Sequence, residues 1–574
     1  MAEQKKMAGY PSIDKPWLKY YSDSVERLAL PMGSMYQYLV ENNSEDQDDI
    51  AISYFNSNIS YEQLFYNIRC VSKAFQQIGV KKGDIVSILL PNIPENIYCI
   101  YALNRIGAVA DMIDLRSKGD ALIHYLKNTE SKCAVVIDLF CKNVFEIIDQ
   151  TSVKHVIIIS PFDSMKNPYR ALFKMKRAFN NIPGYAVKWT DFCKYIDPLE
   201  YSDINGTNDD IACIFHTSGT TGFPKGVMCT NLNANSMALQ GKWSNLRFER
   251  CKRIMNQVPP FLAFNVLCSM HLPLVQHMRM VLLPEYRPDL FAKNIVKTKA
   301  SCCLAGPADW GNFLENPDKL EKKSLMNLIN PICGSDALST DARKKINKVL
   351  KEKGCEVEIL EGYGMTEIGS AASCNMPGHV VDESVGIPFC FNNFCIYDND
   401  SGEELSYNEV GEICMTGPTV MKGYYKNDSE TNEVLRIHND GRMWLHSGDL
   451  GRIDEDGNIY LEGRLKRIII RYDGIKVSPY SIERVVSKID GIKSCCAVGL
   501  FDDNHGRGYV PVVFFETELE QYVAVESIKK ECEEQLSRNY LPHYYYYIEK
   551  MPLTPNNKVD YRALEKLAEE QING

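Results

Sequence analysis

The chain has 574 residues, of which 45% are hydrophobic and 24% charged, and its formal net charge is -10. That length exceeds what one hydrophobic core organises and calls for several domains or subdomains. The acidic balance repels a phosphate backbone and argues against nucleic acid as a partner; no apolar run approaches the about 18 residues of a membrane-spanning helix, so only peripheral membrane contact stays open.

In chain order, the opening "MAEQKKMAGYPSID" has cations with no apolar stretch behind them, so no secretory leader is expected. From about Ile50 to Asp138 short apolar runs alternate with longer amphipathic ones. "DIVSILLPN" reads as a buried strand and "PENIYCIYALNRIGAV" as a helix entered through Pro94. "CAVVID" and "HVIIIS" read as further strands, and the rhythm resumes at "DIACIFHTSG", "RMVLLP" and "ASCCLAG". This is the pattern of a parallel sheet covered by helices. After about Asn392 the texture changes to short strands with Asp/Asn-Gly turns, "FCIYDNDSGEEL", "GEICMTG" and "GRIDEDGNIYLEGR", which predict antiparallel hairpins. Beyond Arg464, "IKVSPYSIERVVSKI", "CCAVGL", "YVPVVFFE" and "VESIKKECEEQLSRN" predict a compact α+β module, with the boundary near Gly463 to Arg467. The fold class is therefore α/β: layered α/β subdomains plus a β-rich piece over residues 1–463, then a small α+β domain over 464–574.

The 20 cysteines sit inside apolar segments and form no Cys-x-x-Cys pair, which argues against a zinc or redox motif and for buried thiols. A long chain without a leader does not suit a disulfide framework, so a reducing cytoplasm is expected.

One stretch stands out. "HTSGTTGFPKGVM", His216 to Met228, packs small and hydroxylic residues ahead of Lys225. Small residues let backbone N–H groups converge, hydroxyls add donors and the lysine adds charge, which suits phosphate oxygens. Pro224 and Gly226 around Lys225 rule out a Walker loop, and no nucleophile-elbow serine pattern is present. The whole string resembles the phosphate loop of the adenylate-forming superfamily: acyl-CoA synthetases, peptide-synthetase adenylation domains and luciferases. "EGYGMTEIG" (Glu361 to Gly369), "HSGDLGRIDEDGNIYLEGRLKRIII" (His446 to Ile470), "GIKVSPYSIE" (Gly474 to Glu483) and "PLTPNNKVDYRAL" (Pro552 to Leu564) are similar to its later motifs, in family order.

The resemblance implies a site. Thr217, Ser218, Gly219, Thr220, Thr221, Gly222 and Lys225 would cradle phosphates. Gly362, Tyr363 and Gly364 would hold the purine, Thr366 would donate to the α-phosphate, and Glu367 would carry Mg²⁺, which takes few protein carboxylates. Asp449 and Arg464 would bind the ribose. Lys558 would be the catalytic cation between carboxylate and α-phosphate, Lys466 the hinge of a mobile C-terminal domain, and Gly474, Ile475 and Lys476 the loop presented for thioester formation. Asn556-Asn557 replaces the more common Thr-Gly before the catalytic lysine.

Substrates follow by the same route: ATP, CoA and a small carboxylic acid. "PPFLAFNVL" has Leu262 and Ala263 where amino-acid-activating relatives carry an aspartate and many acyl or aryl ligases a histidine. An ammonium buried there would lack a partner, so a hydrophobic acid is expected. "KPWLKYYSDSVE" and "MYQYLVENN" resemble the opening of long-chain fatty acyl-CoA synthetases. The resemblance thus implies an AMP-forming acyl-CoA ligase. A stand-alone ligase loading a carrier protein and a non-catalytic nucleotide-binding module are the alternatives; chain length of the acid and oligomeric state stay open.

Overall fold

The structure is a computed structural model that describes residues 8–165, 182–194, 206–217, 224–315, 317, 320–336, 338–501, 508–554 and 559–573. Ser218, Gly219, Thr220, Thr221, Gly222 and Lys558 lie outside the described residues.

Among the described residues, two large sheets dominate. The eight-stranded sheet runs in the order Gly423–Tyr424, Lys225–Thr230, Ile211–Thr217, Val109–Met112, Ile85–Leu89, Cys133–Ile137, His155–Ile159, Ala186–Lys188. From Ile211–Thr217 to Ala186–Lys188 every pairing is parallel. Its inner strands are apolar on both faces, and Ile85–Leu89 and Cys133–Ile137 are buried throughout, as a doubly covered parallel sheet requires. The nine-stranded sheet has a parallel centre formed by Arg279–Leu282, Arg253–Asn256, Cys302–Ala305, Asn330–Cys333 and Leu360–Tyr363.

Two helices join the sheets. Tyr61–Gln77 begins in a capping box, with Ser60 accepting from the Gln63 backbone and Gln63 reaching back, and it buries Leu64, Phe65, Ile68, Val71 and Phe75 on one face. Pro94–Arg105 starts at Pro94, as its sequence predicts, and is buried all round. The two pack on each other, and their side chains share one core with strands of both sheets.

The hairpin-rich segment forms a six-stranded antiparallel sheet centred on Gly411–Thr416 and Met443–Ile453, with Ile459–Arg464 on its margin. The turn before that last strand needs glycine: Gly457 has φ +91°, and a Cβ there would sit 2.9 Å from the Trp17 backbone nitrogen. Trp17 is fully buried, and Lys19 pairs with Asp456, so the N-terminal segment docks on this hairpin.

Beyond Arg464, the strands Ile492–Phe501, Tyr509–Thr517 and Tyr544–Tyr547 form a separate three-stranded sheet. Alternation along its strands gives two cores. One holds Ala497, Val513 and Phe515 with the helices Pro479–Val486 and Gln521–Gln535; the other holds Val498, Val512 and Phe514 with Leu564 and Ala568 of Tyr561–Asn573. Neither shares a residue with the large upstream core. No helix among the described residues is long and apolar enough to cross a membrane.

Leu64 tests the joint between the sheets. Leu64→Ala removes a fully buried side chain and is expected to cost about 2–5 kcal/mol in chemical denaturation; a loss below about 1 kcal/mol would contradict the burial of this helix face.

Candidate active site

Strands Ile211–Thr217 and Leu360–Tyr363 end on the same cleft, at the carboxyl edges of the two parallel sheets, where α/β proteins build their sites. The cleft has a volume of about 1050 Å³. Leu465, Lys466 and Arg467 form another part of its wall, with Tyr561, Arg562 and Glu565 from the last helix.

The ends of the glycine- and threonine-rich stretch lie on paired strands. Ile211–Thr217 pairs antiparallel with Lys225–Thr230, and Thr217 stands opposite Lys225. Lys225 pairs with Glu430 at 2.6 Å and lies 4.9 Å above the Tyr424 ring. Next to Thr217, His216 Nε2 is 2.6 Å from Asp111 Oδ1, and Asp111 also accepts from Ser87 and Thr129. His216 Nδ1 is buried and has no partner among the described residues.

The Gly362–Glu367 run turns sharply out of its strand into a short 3₁₀ turn, Thr366–Ile368. Gly364 makes that turn possible, because a Cβ there would fall 2.1 Å from the Ser370 carbonyl oxygen. Tyr363 donates to Asp449 Oδ2 at 2.8 Å, and Arg464 Nε donates to Asp449 Oδ1 at 2.6 Å. Asp449 and Arg464 are register partners on adjacent antiparallel strands. Burial, then the Asp449 charge, holds the Tyr363 phenol well above its ordinary range, so it remains a donor. Glu367 is buried on the cleft wall and accepts from the Tyr424 hydroxyl at 2.9 Å. Burial raises its pKa, and the Tyr424 hydrogen bond opposes the rise. The Glu367 carboxylate beside a cavity wide enough for water is a donor that fits Mg²⁺, a hard cation that takes few protein carboxylates and keeps most of its water.

The other branch of the cleft is apolar, lined by Met237, Leu246, Phe248, Leu262, Ala263 and Phe264. Leu262 and Ala263 thus present apolar surface to this part of the cleft. Phe264–His271 is a π-helix, wider than an α-helix, of the kind found at functional sites. Its last residue, His271, is bonded to Tyr101 and Asn235, and burial lowers its pKa to about 3, so it stays neutral.

The structure therefore brings Thr217, Lys225, Gly362, Tyr363, Gly364, Thr366, Glu367, Arg464 and Lys466 onto one cleft, with Asp449 directly behind Tyr363 and Arg464. It does not bring Gly474, Ile475 and Lys476 there. Gly474 and Ile475 lie in the turn between Ile469–Ile470 and Lys476–Val477, with Gly474 at φ +82°, and Lys476 opens the second strand 3.9 Å from Asp400. Sequence reasoning missed Tyr424, Glu430, the Asp111–His216 pair and Tyr561. Tyr561 was visible inside the "KVDYRAL" stretch and His216 at the head of "HTSGTTGFPKGVM"; the others carry no local signal.

Glu361, on the strand Leu360–Tyr363, is half-buried 3.6 Å from Arg343, and loss of solvent, partly offset by Arg343, raises its pKa from 4.5 to about 7. The folded state thus holds this proton more tightly than the unfolded chain. The resulting stability is full below about pH 4.5 and is lost as the pH rises through about 7. Wild type should therefore lose about 3 kcal/mol more than Glu361→Gln between about pH 5 and about pH 8, read from urea midpoints. Parallel pH curves would contradict the assignment.

The description "AMP-binding enzyme" matches residues 39–425. The chain is 27% identical over 574 residues to the long-chain-fatty-acid–CoA ligase of Bacillus subtilis (strain 168), covering 97% of this chain and 99% of that one. It is 26% identical over 507 residues to the probable 4-coumarate–CoA ligase 1 of Dictyostelium discoideum, covering 86% and 88%. The fold is shared with ATP-bound MatB from Rhodopseudomonas palustris, at a TM-score of 0.80 and 22% identity over 93% of this chain and 99% of that chain. With two-thirds of its length matched, and with Thr217, Lys225, Tyr363 and Arg464 on one cleft, the chain belongs to the AMP-binding enzyme family.

Proposed function

We propose that this protein is an AMP-forming acyl-CoA ligase that activates a hydrophobic carboxylic acid, a fatty acid before an aromatic one. The observation that carries this reading is the continuity of the cleft: a polar branch at Thr217, Lys225 and Glu367 opens directly into an apolar branch at Leu262, Phe264 and Phe248. A molecule with an apolar tail and a carboxylate head spans both. The nearly full-length likeness to a long-chain-fatty-acid–CoA ligase supports the aliphatic choice. The localisation we favour is the cytoplasm, because all 20 cysteines are free and most are buried.

In the first half-reaction a carboxylate oxygen attacks the α-phosphorus of ATP and pyrophosphate leaves. In the second the CoA sulfur attacks the acyl carbonyl and AMP leaves. Two anions must meet in the first step, so the barrier is repulsion and positioning, which fixed donors lower. Thr217 to Gly222 and Lys225 take the phosphates; Lys225 exchanges Glu430 for a more highly charged partner. Gly362, Tyr363 and Gly364 flank the purine, Thr366 donates to the α-phosphate, and Asp449 with Arg464 takes the ribose hydroxyls. Glu367 would hold Mg²⁺, which supplies positive charge to the phosphates. Lys558 bridges the carboxylate and the α-phosphate.

The division into residues 1–463 and 464–574 belongs to the same proposal. The last helix, which follows Lys558, lines the cleft, and the Gly474–Lys476 turn does not. That is the arrangement wanted for making the adenylate; rotation about Lys466 would exchange the two. A carrier protein in place of CoA remains the alternative acceptor, and a thioester assay with CoA alone decides between them.

Asp449→Ala should weaken AMP binding by about 1.5–3 kcal/mol, the worth of hydrogen bonds to a charged group. Isothermal titration reads this, and unchanged affinity would remove Asp449 from the ribose site.

Two lysines separate the half-reactions. Lys558→Ala is expected to lose pyrophosphate release from acid and ATP while still converting supplied acyl-AMP and CoA to thioester. Lys466 lies in a 3₁₀ turn whose φ range includes that of proline, so Lys466→Pro should keep the first activity and lose the second. Equal loss of both activities in both variants would refute the rotation, and full pyrophosphate release by Lys558→Ala would identify another lysine as the bridge.

A further inference from the structure

The apolar branch of the cleft is a groove between two helical rows. The π-helix Phe264–His271 follows the strand Arg253–Asn256 and precedes its parallel neighbour Arg279–Leu282. A crossover between parallel strands runs back from their carboxyl edge to their amino edge, so this helix leads inward from the cleft. Its first residue stands at the cleft end, where Phe264 Cζ is 3.7 Å from the place a Cβ would take on Gly334, another cleft residue. Phe264, Cys268 and Leu272, four residues apart, all line the branch. Facing them is the helix Asn231–Trp243, whose Met237 and Gly241, also four apart, line it from the other side. From Phe264 to Leu272 the groove is on the order of 10 Å long.

The two rows meet at Gly241. A Cβ on Gly241 would fall 2.3 Å from Leu272 Cδ1 and 2.8 Å from its Cγ, so the leucine lies directly on the bare helix backbone. Glycine weakens a helix relative to alanine; here its lack of a side chain lets Leu272 lie against the helix instead of across the groove. Any side chain at position 241 would turn Leu272 toward the free space that both residues face, which is the groove itself. None of the five residues on the two rows carries a charge, so selection at this depth is by length and width. The lining continues after the helix ends, with Leu246 and Phe248.

We propose that the Gly241–Leu272 contact sets the length of the acid this protein accepts. Leu272 resting on Gly241 keeps the inner end of the groove open, so the substrates are straight-chain acids whose tails reach past Leu272. An acid that ends above this contact, such as a single aromatic ring on a short stem, does not depend on position 241. The inference rests on the reading of the protein as an acyl-CoA ligase and narrows its substrate class. Neither residue stands out in the sequence, because they lie on separate helices and meet only where the two pack.

The test measures kcat/KM for thioester formation from ATP, CoA and saturated straight-chain acids of increasing length. It uses the full-length wild type, Gly241→Ala, Leu272→Ala and the double variant, each checked for cooperative unfolding. The readout is the ratio of kcat/KM for the longest acid to that for the shortest. Gly241→Ala should lower this ratio at least roughly tenfold, at about fourfold for each methylene shut out of the groove. Leu272→Ala should raise it, and the double variant should return toward wild type, because the added methyl then has no leucine to displace. A packing role alone would scale every chain length by one factor, so an unchanged ratio in both single variants overturns the proposal. If Gly241→Ala does not fold, Leu272→Ala decides, and an unchanged ratio there overturns it. Wild type that turns over no straight-chain acid of any length refutes the ligase reading and this proposal with it. Turnover with an unchanged ratio refutes the proposal alone.

Discussion

Asp449 is a buried carboxylate that accepts from Tyr363 on one oxygen and pairs with Arg464 on the other. Removing a charge from water costs several kcal/mol unless its partners are fully in place. Both partners are supplied by backbone that is already fixed. Tyr363 ends a parallel strand of the nine-stranded sheet, and Arg464 ends the last strand of the antiparallel sheet. One carboxylate thus ties the two layers at the mouth of the cleft. Displacing either layer would strand the charge, so the geometry of the polar branch is held tightly.

The opposite wall repeats the logic with alternating charge. Glu367 accepts from Tyr424, whose ring faces Lys225, which in turn pairs with Glu430. Each group limits the repulsion felt by the next, and the Glu367 carboxyl is still raised by burial. Such a site is poised for a polyanion and a cation together, because each would relieve a charge that the fold leaves only partly compensated. The apolar branch has no comparable network. Its π-helix and its Leu, Met and Phe lining select by shape and apolar area, which suits a tail without functional groups.

Much of this was legible from sequence where the signal is local. Buried strands such as Ile85–Leu89 show as continuous apolar runs, Pro94 marks a helix start, and the Asp/Asn-Gly turns announce hairpins. The stretch from His216 to Met228 stood out because its composition is unusual; its central residues lie outside the described ones. Contacts set by the register of distant strands were not legible. Asp111 meets His216 because Val109–Met112 is the parallel neighbour of Ile211–Thr217, and no periodicity encodes that choice. Tyr424 reaches Glu367 because Gly423–Tyr424 pairs with the strand Lys225–Thr230. The turn at Gly474 reads as a loop in sequence, but its position away from the cleft depends on how the last module is oriented.

That orientation rests on a narrow junction. Arg464 is anchored to Asp449, within the antiparallel sheet. Arg467 is anchored instead to Glu483 and the Ala497 carbonyl and stacks 3.8 Å from Tyr561, all of them in the last module. Only Leu465 and Lys466 lie between the two anchors. The Lys488–Glu383 ion pair at 2.6 Å and the Ser478 hydroxyl on the Glu462 carbonyl cross the junction, and both are of the polar kind that water replaces at little cost. The last module keeps its own two cores intact whichever way it faces. A rotation at Lys466 would therefore break weak contacts and leave strong ones on either side, which is the physical requirement for one small domain to serve two half-reactions at a single cleft.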